Sequence, residues 1–503
     1  MSNLDLRVWA GTLESFGSVR RKTRIVCMGP SGVSWSWETN LAKQPTRMIY
    51  GGPQKRFFVS MLTRDIDLDD AILDLIDNSV DGAMRESKRR TGKWKAFKGY
   101  WTKLTINREK FEIVDNCGGI PAEFLEAAFS LGRPNITKDG DIPTIGMYGI
   151  GMKRAIFKMA QTSTVISRSG DAQVSVQYNS SWLDPENNSW ELPLEDLEKS
   201  KDHGVSVTVP SLRANVSTLF GNGAFVNALK LKISDHFGYI IQRGFKIYIN
   251  EEELPGHVLR LLDTPRSDGP AIRAYDYHHV IDGVSINVTV GFFRRLVRDA
   301  EIDEEAISAT EGAGRAGISV VCNDRVVLLS DKSLRTGWGD GGLPKFHPQF
   351  RAIAGVIDIF SNDASKLPIA TTKNDLDVGS DIYLAARRAC IEGVKVFTGF
   401  TNRWKGMEDK TAEFFDAAEL VEARRGIDLA TKLGRKLRNS DAVRFQPRLP
   451  EPVVRNPMRR ISFLRELRDI KAVSKVLFKE DNQTPAVVGE ECFDRFLAKV
   501  PRR

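Results

Sequence analysis

Residues Asp70–Ala83 read DAILDLIDNSVDGA, four carboxylates and one carboxamide threaded through Ile, Leu and Val. At about 100° per residue, Asp74, Asn78 and Asp81 fall within an arc of about 60°. Ile72, Leu75, Ile76, Val80 and Ala83 centre on the opposite side. The pattern predicts an amphipathic helix with one packed face and one face lined by acids and an amide. The segment holds no Lys or Arg to balance the acids, unlike an ordinary surface helix. Asn is a weak helix former with little reason to stand mid-helix. A stripe of hard oxygen ligands suits hydrated Mg²⁺, which takes one or two protein oxygens and fills its shell with phosphates and water.

Two glycine segments fit the same idea. IVDNCGGI (Ile113–Ile120) puts Asp115 at a strand end just before Gly118-Gly119. A carboxylate there can accept a hydrogen bond from an adenine amino group, and the glycines let backbone approach the ring. IGMYGIGMKRA (Ile145–Ala155) carries Gly146, Gly149 and Gly151 just before a helix, with Lys153 and Arg154 following. Glycines at a helix N-terminus expose N–H groups to phosphate, and the macrodipole favours the anion. No Gly-Lys-Ser/Thr follows, so this is not a Walker loop. No strand feeds directly into it, so it is not a dinucleotide fingerprint either.

These motifs, in this order, resemble the GHKL ATPases: gyrase B subunits, the ninety-kilodalton heat-shock chaperones, histidine kinases, MutL and, closest in flavour, MORC-like and bacterial ATP-binding proteins. LDLIDNSVDGA is similar to the N box, DNCGGIP to the first glycine box, and GMYGIGMK to the second, which closes the ATP lid. The resemblance covers about residues 55–400 and implies ATP and Mg²⁺ as cofactors. Asn78 takes the place of the magnesium ligand, Asp74 that of the acid polarising the attacking water, and Asp115 that of the adenine reader. Gly119 would make room for the base. Gly146, Gly149, Gly151 and Lys153 would hold phosphates under a lid at Ser130–Ile145, with Asp81, Ile120, Tyr148, Ile150 and Met152 also around the nucleotide. LPIATTKNDLD offers Lys373 where relatives place a lysine that reaches the γ-phosphate.

Three departures stand out. Relatives mostly carry Glu where this chain has Asp74, and the shorter acid predicts slow turnover, since a misplacement of about 1 Å can cost ~10²-fold in rate. Cys117 stands where the first glycine usually is. Gly204-Val205 replaces a frequent Gly-Thr, and Thr208 has the wrong strand parity to supply the missing hydroxyl.

The implied fold class is α+β. A Bergerat-type ATP-binding α/β sandwich (48–210) precedes a transducer-like α/β domain (211–398) and a basic helical C-terminal region (399–503). Residues 1–47 read as an arm or disordered leader. With 503 residues the chain exceeds a single core. Five scattered cysteines and no Cys-x-x-Cys pair argue for reduced thiols, a cytoplasmic location and no structural zinc. No apolar run is long enough to span a membrane. Net charge is +8, but Lys432–Lys479 alone holds 14 Lys/Arg against 4 Asp/Glu. That tail suggests phosphate contacts with nucleic acid.

Together these features imply an ATP-gated homodimeric clamp with weak ATPase activity. The resemblance connects it to DNA repair, chromatin-like or phage-defence settings, with any strand-cleaving module on a partner subunit. A non-hydrolysing nucleotide sensor is the alternative. A histidine-kinase-type enzyme fits less well, because the first histidine is His203, inside the ATP domain.

Overall fold

The computed structural model describes residues 23–28, 34–39, 54–64, 66–91, 97–130, 144, 146, 149–265 (without 183, 185 and 188), 269–297, 315–438 (without 371, 372, 374, 425 and 426), 440–452 and 463–500. Most of the expected lid and Tyr148 lie outside these residues, as does most of the N-terminal leader. Within that leader β1 (Thr23–Met28) and β2 (Ser34–Thr39) pair antiparallel.

The first unit begins with α1 (Lys55–Arg64) and the 24-residue α2 (Leu68–Thr91), which carries the acidic stripe. β3 (Trp101–Ile106) and β4 (Phe111–Asp115) form a hairpin, followed by α3 (Leu125–Phe129) and α4 (Gly151–Met159). Then come β5 (Ser163–Arg168), β6 (Gln173–Tyr178), β7 (Leu194–Asp196) and β8 (Gly204–Val209). α5 (Ala214–Phe220), α6 (Gly223–His236) and α7 (Gly238–Gln242) lead to β9 (Lys246–Ile249) and β10 (Glu252–Glu253). The sheet order is β10-β9-β3-β4-β8-β5-β6-β7, with β9 parallel to β3. The helices α5–α7 and the strand KIYIN, read from sequence as the start of the second unit, therefore belong to the first. Ile233, Phe237, Ile247 and Ile249 share one core with Ile72, Ile76 and Val80 of α2. A fully buried side chain of that size contributes about 1.5–3 kcal/mol, so this packing outweighs the boundary expected at residue 210.

The second unit opens with β11 (Arg260–Asp263) and is built on β12 (Tyr275–Ile281), β13 (Val284–Phe292), β14 (Gly317–Cys322), β15 (Arg325–Asp331) and β16 (Ile353–Phe360). α8 (Asp381–Trp404) packs Ala386, Val394, Phe397 and Phe400 onto that sheet. The helical region expected over 399–503 is interrupted by strands. α9 (Ala412–Asp416) stops, β17 (Glu419–Glu422) pairs with β11, α10 (Leu429–Leu433) follows, and β18 (Arg435–Lys436) and β19 (Val443–Phe445) extend the sheet beyond β12. Beyond it, α11 (Leu467–Phe478) and α12 (Pro485–Leu497) form a helical hairpin.

A tight turn joins β14 to β15. Asn323 and Asp324 both take positive φ (48° and 70°), a conformation Asn and Asp tolerate better than other side chains. The turn plugs into the first unit. Asp324 pairs with Arg243 and Arg424, and Arg325 Nε donates to Asp77 of α2 at 2.9 Å while stacking over Phe237. Beside it, His236 is buried and donates Nδ1–H to the Val326 carbonyl at 2.6 Å. Burial, then the charge of Arg325, pushes the His236 pKa down from 6.5 to about 3.

The unfolded chain therefore binds a proton at this histidine, between those two pH values, that the folded chain refuses. Stability falls as pH drops from about 6.5 toward 3, by up to ~1.4 kcal/mol per pH unit from this group. His236→Asn is expected to flatten that slope. Urea midpoints at pH 7 and pH 5 should lie closer together in the variant than in the natural chain.

Candidate active site

The alternation of β4 decides where Asp115 points. Phe111 and Ile113 face the core, so Asp115 two residues on faces the same way, into a cavity between the sheet and α2. Its Oδ1 accepts from the Cys117 N–H at 2.9 Å and the Val205 N–H at 3.1 Å, and its Oδ2 accepts from the Ser79 hydroxyl at 2.8 Å. Burial nevertheless holds the Asp115 pKa above the ordinary carboxylate value, with these hydrogen bonds opposing it. Ser79 thus brings a hydroxyl to Asp115 from the helix, where Val205 supplies only its N–H. Thr208 faces away and donates to Glu112 at 3.3 Å.

Cys117 is buried, lines the cavity and avoids positive φ. The glycine requirement falls on the next two residues, Gly118 (φ 94°) and Gly119 (φ 72°), which explains how cysteine is accommodated at 117. Gly119 does not line the cavity. A Cβ there would sit 2.2 Å from the Arg168 carbonyl oxygen, so its role is close approach to β5. Ile120 and Pro121 form the wall instead.

Asp74, Asn78 and Asp81 line the opposite side of the cavity, as the helical wheel implies. Gly146, Gly149, Ile150, Gly151, Met152 and Lys153 close one end, and Lys373 reaches in from the second unit. Asp81 Oδ2 accepts from the Gly146 N–H at 2.8 Å, fixing the root of the second glycine segment to α2. Two residues earlier, the Thr144 carbonyl accepts from Asn323 Nδ2 at 3.2 Å. The N-cap of α4, Ile150, offers no side-chain cap to the first-turn N–H groups. Lys153 folds back onto the Gly149 carbonyl.

The charges form a connected buried cluster. Asp74 Oδ2 accepts from Arg154 Nη2 at 2.6 Å, and Asp74 Oδ1 lies 3.2 Å from Lys373 Nζ. Asp77, which has no exposed side-chain surface, binds Arg325 at 2.9 Å and Lys373 at 3.1 Å. Burial works against the charge on Lys373, but Asp77, Asp74 and Asp81 outweigh it and push its pKa up. Burial likewise works against the Asp77 charge, and Lys373 and Arg325 overcome it, holding its pKa down. Lys373 itself has φ 56°, an uncommon left-handed setting for a non-glycine residue, at the tip of a turn closed by its N–H to the Ala370 carbonyl. In contrast to these paired groups, Asn78 is exposed and lines the cavity, and its side chain hydrogen-bonds to no other described residue.

Residues 66–207 match the family described as histidine kinase-, DNA gyrase B-, and HSP90-like ATPase. This segment is a GHKL-type ATPase domain. The matched stretch holds α2, the Asp115 strand end and the glycine segment before α4, so the family and the cavity coincide. No curated protein matches the chain. No helix among the described residues is long and apolar enough to cross a membrane.

Sequence reasoning passed over Asp77, Ser79, Arg154 as a partner of Asp74, and Arg325. Asp77 stands about 60° from Asp74 on the wheel, so the acidic stripe itself could have included it. Arg325 is 248 residues from Asp77 and carries no local signal. Hydrogen bonds to a charged group contribute about 1.5–3 kcal/mol. Asp115→Ala is accordingly expected to weaken binding of a fluorescent ATP analogue by ~10–100-fold, and Ser79→Ala by ~10-fold. Fluorescence titration measures both. Undiminished affinity in Asp115→Ala would remove this residue from the base site.

Proposed function

We propose that the chain binds Mg²⁺-ATP in this cavity and hydrolyses it slowly as an ATP-gated dimeric clamp. One observation carries the reading: Lys373, from the second unit, enters the ATPase-domain cavity and bridges two carboxylates of α2, at 3.2 Å and 3.1 Å. The donor set fits the nucleotide. Asn78 brings an amide to the cavity whose side chain has no hydrogen-bond partner among the described residues, suited to Mg²⁺, and the uncapped first turn of α4 suits phosphate. Bound there, Mg²⁺ would supply neutralisation of phosphate charge. Gly146 and Gly151 leave space that a side chain would fill, since a Cβ would meet Asp81 at 2.6 Å and Asp74 at 3.2 Å respectively.

The arrangement of partners singles out Lys373 as the group that moves. If it turns from Asp74 and Asp77 toward a γ-phosphate, Asp77 keeps Arg325 and Asp74 keeps Arg154. Each carboxylate still has a cation, so release of Lys373 leaves no bare buried charge. Asp74 Oδ1 then becomes free to orient a water and accept its proton. The second unit, carrying Lys373, follows the nucleotide state.

A non-hydrolysing sensor is the second reading, favoured by the engagement of both Asp74 oxygens. Single-turnover assays separate the two. For the ATPase, Asp74→Ala is expected to lower product formation ~10²-fold or more while ATP binding persists, Asp74→Glu to retain turnover, and Lys373→Ala to lower it. A sensor gives no product above background in the natural chain or any variant.

A cationic groove supports a polyanion partner. Arg273, Arg435, Arg444 and Arg448 line it around β19, and an adjoining groove adds Lys395 and Arg403. Arg435 and Arg448 are both exposed. We assign nucleic-acid backbone contacts to these grooves rather than to the whole basic tail. Reversing both charges, Arg435→Glu with Arg448→Glu, is expected to weaken double-stranded DNA binding and to make the log–log salt dependence shallower by about 2. An unchanged slope would place the polyanion elsewhere.

A further inference from the structure

The outer face of the first sheet carries a second hollow, directly behind Asp115. β4 and β8 turn Asp115 and Val205 toward the cavity beside α2, so their strand neighbours face the other way. The registers align those neighbours. Thr102 pairs with Asp115, Val114 with Ser206 and Arg168 with Gly204. Trp101, Asn116, Gly204 and Arg168 therefore stand in one row across β3, β4, β8 and β5. At about 4.8 Å between strands, Trp101 and Arg168 are ~14 Å apart.

The middle of this row is low. Gly204 has no side chain and admits none, because a Cβ there would collide with the Asp115 carbonyl oxygen. Asn116 is tied down: its Oδ1 accepts from the Trp101 N–H at 2.8 Å, and its Nδ2 donates to the Gly99 carbonyl at 2.9 Å. All four residues line a cavity of about 860 Å³, large enough for a small organic molecule.

The two ends differ in chemistry. Arg168 buries its Nε with no hydrogen-bond partner. A buried donor left unpaired is costly, and the planar guanidinium fork matches phosphate. Lys98 and Lys201, both exposed, add positive charge to the same cavity. At the other end Trp101 offers an indole on which a flat ring can stack. Lys103 steadies it, with Nζ 4.6 Å from the ring centre. Glu86 and Asp202 also line the hollow. Carboxylates accept from sugar hydroxyls and repel a continuous phosphate backbone. One ring, one guanidinium and two acids suit a single nucleotide better than a strand.

We propose that this hollow is a second nucleotide site, taking one purine nucleoside monophosphate with its base on Trp101 and its phosphate toward Arg168. It stands back to back with the cavity beside α2, and Asp115 and Val205 form the wall they share. The proposal does not rest on the ATP reading of that front cavity.

Calorimetric titration of the full chain with AMP and with GMP tests it, after the front cavity has been saturated with a non-hydrolysable ATP analogue. Saturable binding of at least one of them, at one molecule per chain, is expected. Trp101→Ala and Arg168→Gln should each weaken it ~10-fold or more, and guanosine, which lacks the phosphate, should bind the natural chain as weakly as GMP binds Arg168→Gln. Binding of the ATP analogue should stay within ~3-fold in both variants, which separates loss of this site from loss of fold. No saturable binding of either monophosphate up to millimolar concentration, or binding indifferent to both substitutions, would overturn the proposal. So would a short single-stranded RNA that depends on Trp101 and Arg168 and binds more tightly than the monophosphates. Should the ATP analogue bind no chain at all, the proposed function falls, while the GMP titration still reads the back site.

Discussion

Asp77 is fully buried between two cations that the first unit does not own, and the architecture follows from that need. Removing a carboxylate from water costs several kcal/mol even after relaxation. α2 carries Asp74 and Asp81 into the cavity wall and Asp77 beside them, all three buried. Arg154 comes from the neighbouring helix, but Arg325 and Lys373 come from the second unit. The second unit is thereby held to the first by charge neutralisation at the site itself. Breaking a buried pair by removing one partner typically costs about 3–5 kcal/mol, so the two units have a strong reason to remain engaged.

The same turn that provides Arg325 also reaches the glycine segment. Asn323 holds the Thr144 carbonyl from the second unit, and Asp81 holds the Gly146 N–H from α2. The chain at 144–146 is thus gripped by both units on either side of one residue. A displacement of the β14–β15 turn acts on the glycine-segment end of the cavity and on Asp77 together. Fixed contacts of this kind let a small ligand-induced change become a movement of whole units, because packed elements shift as bodies rather than stretch.

How much of this was legible depends on the range of the interaction. The helical wheel gathered Asp74, Asn78 and Asp81 on one face, and the strand end before two glycines singled out Asp115; all four line the cavity, because such signals are local. The glycines at 149 and 151 were likewise readable from the helix that follows. What escaped was tertiary. Glu419–Glu422 lies in AEFFDAAELVEARR, a stretch of good helix formers, yet it forms a strand because β11 offers backbone partners. Lys246–Ile249 joins the first sheet because Trp101–Leu104 lies free to pair in parallel with it. Gly119 was read as space for a base, whereas the demand comes from the Arg168 carbonyl on another strand.

Asp74 is best understood through what crowds it. α4 starts so close to α2 that even a Cβ on Gly151 would stand 3.2 Å from the Asp74 carboxylate. That approach brings the uncapped N–H groups of α4 near the acid and lets Arg154, one turn on, reach it at 2.6 Å. A glutamate at 74 would push its carboxylate one methylene further, into the ground now shared by Gly151, Arg154 and Lys373. Asp74 and Arg154 therefore read as a matched pair: the shorter side chain makes room for the guanidinium, and the guanidinium holds the carboxylate in place. Tightness at this point keeps the carboxylate oriented, with one oxygen held by Arg154 and the other beside Lys373.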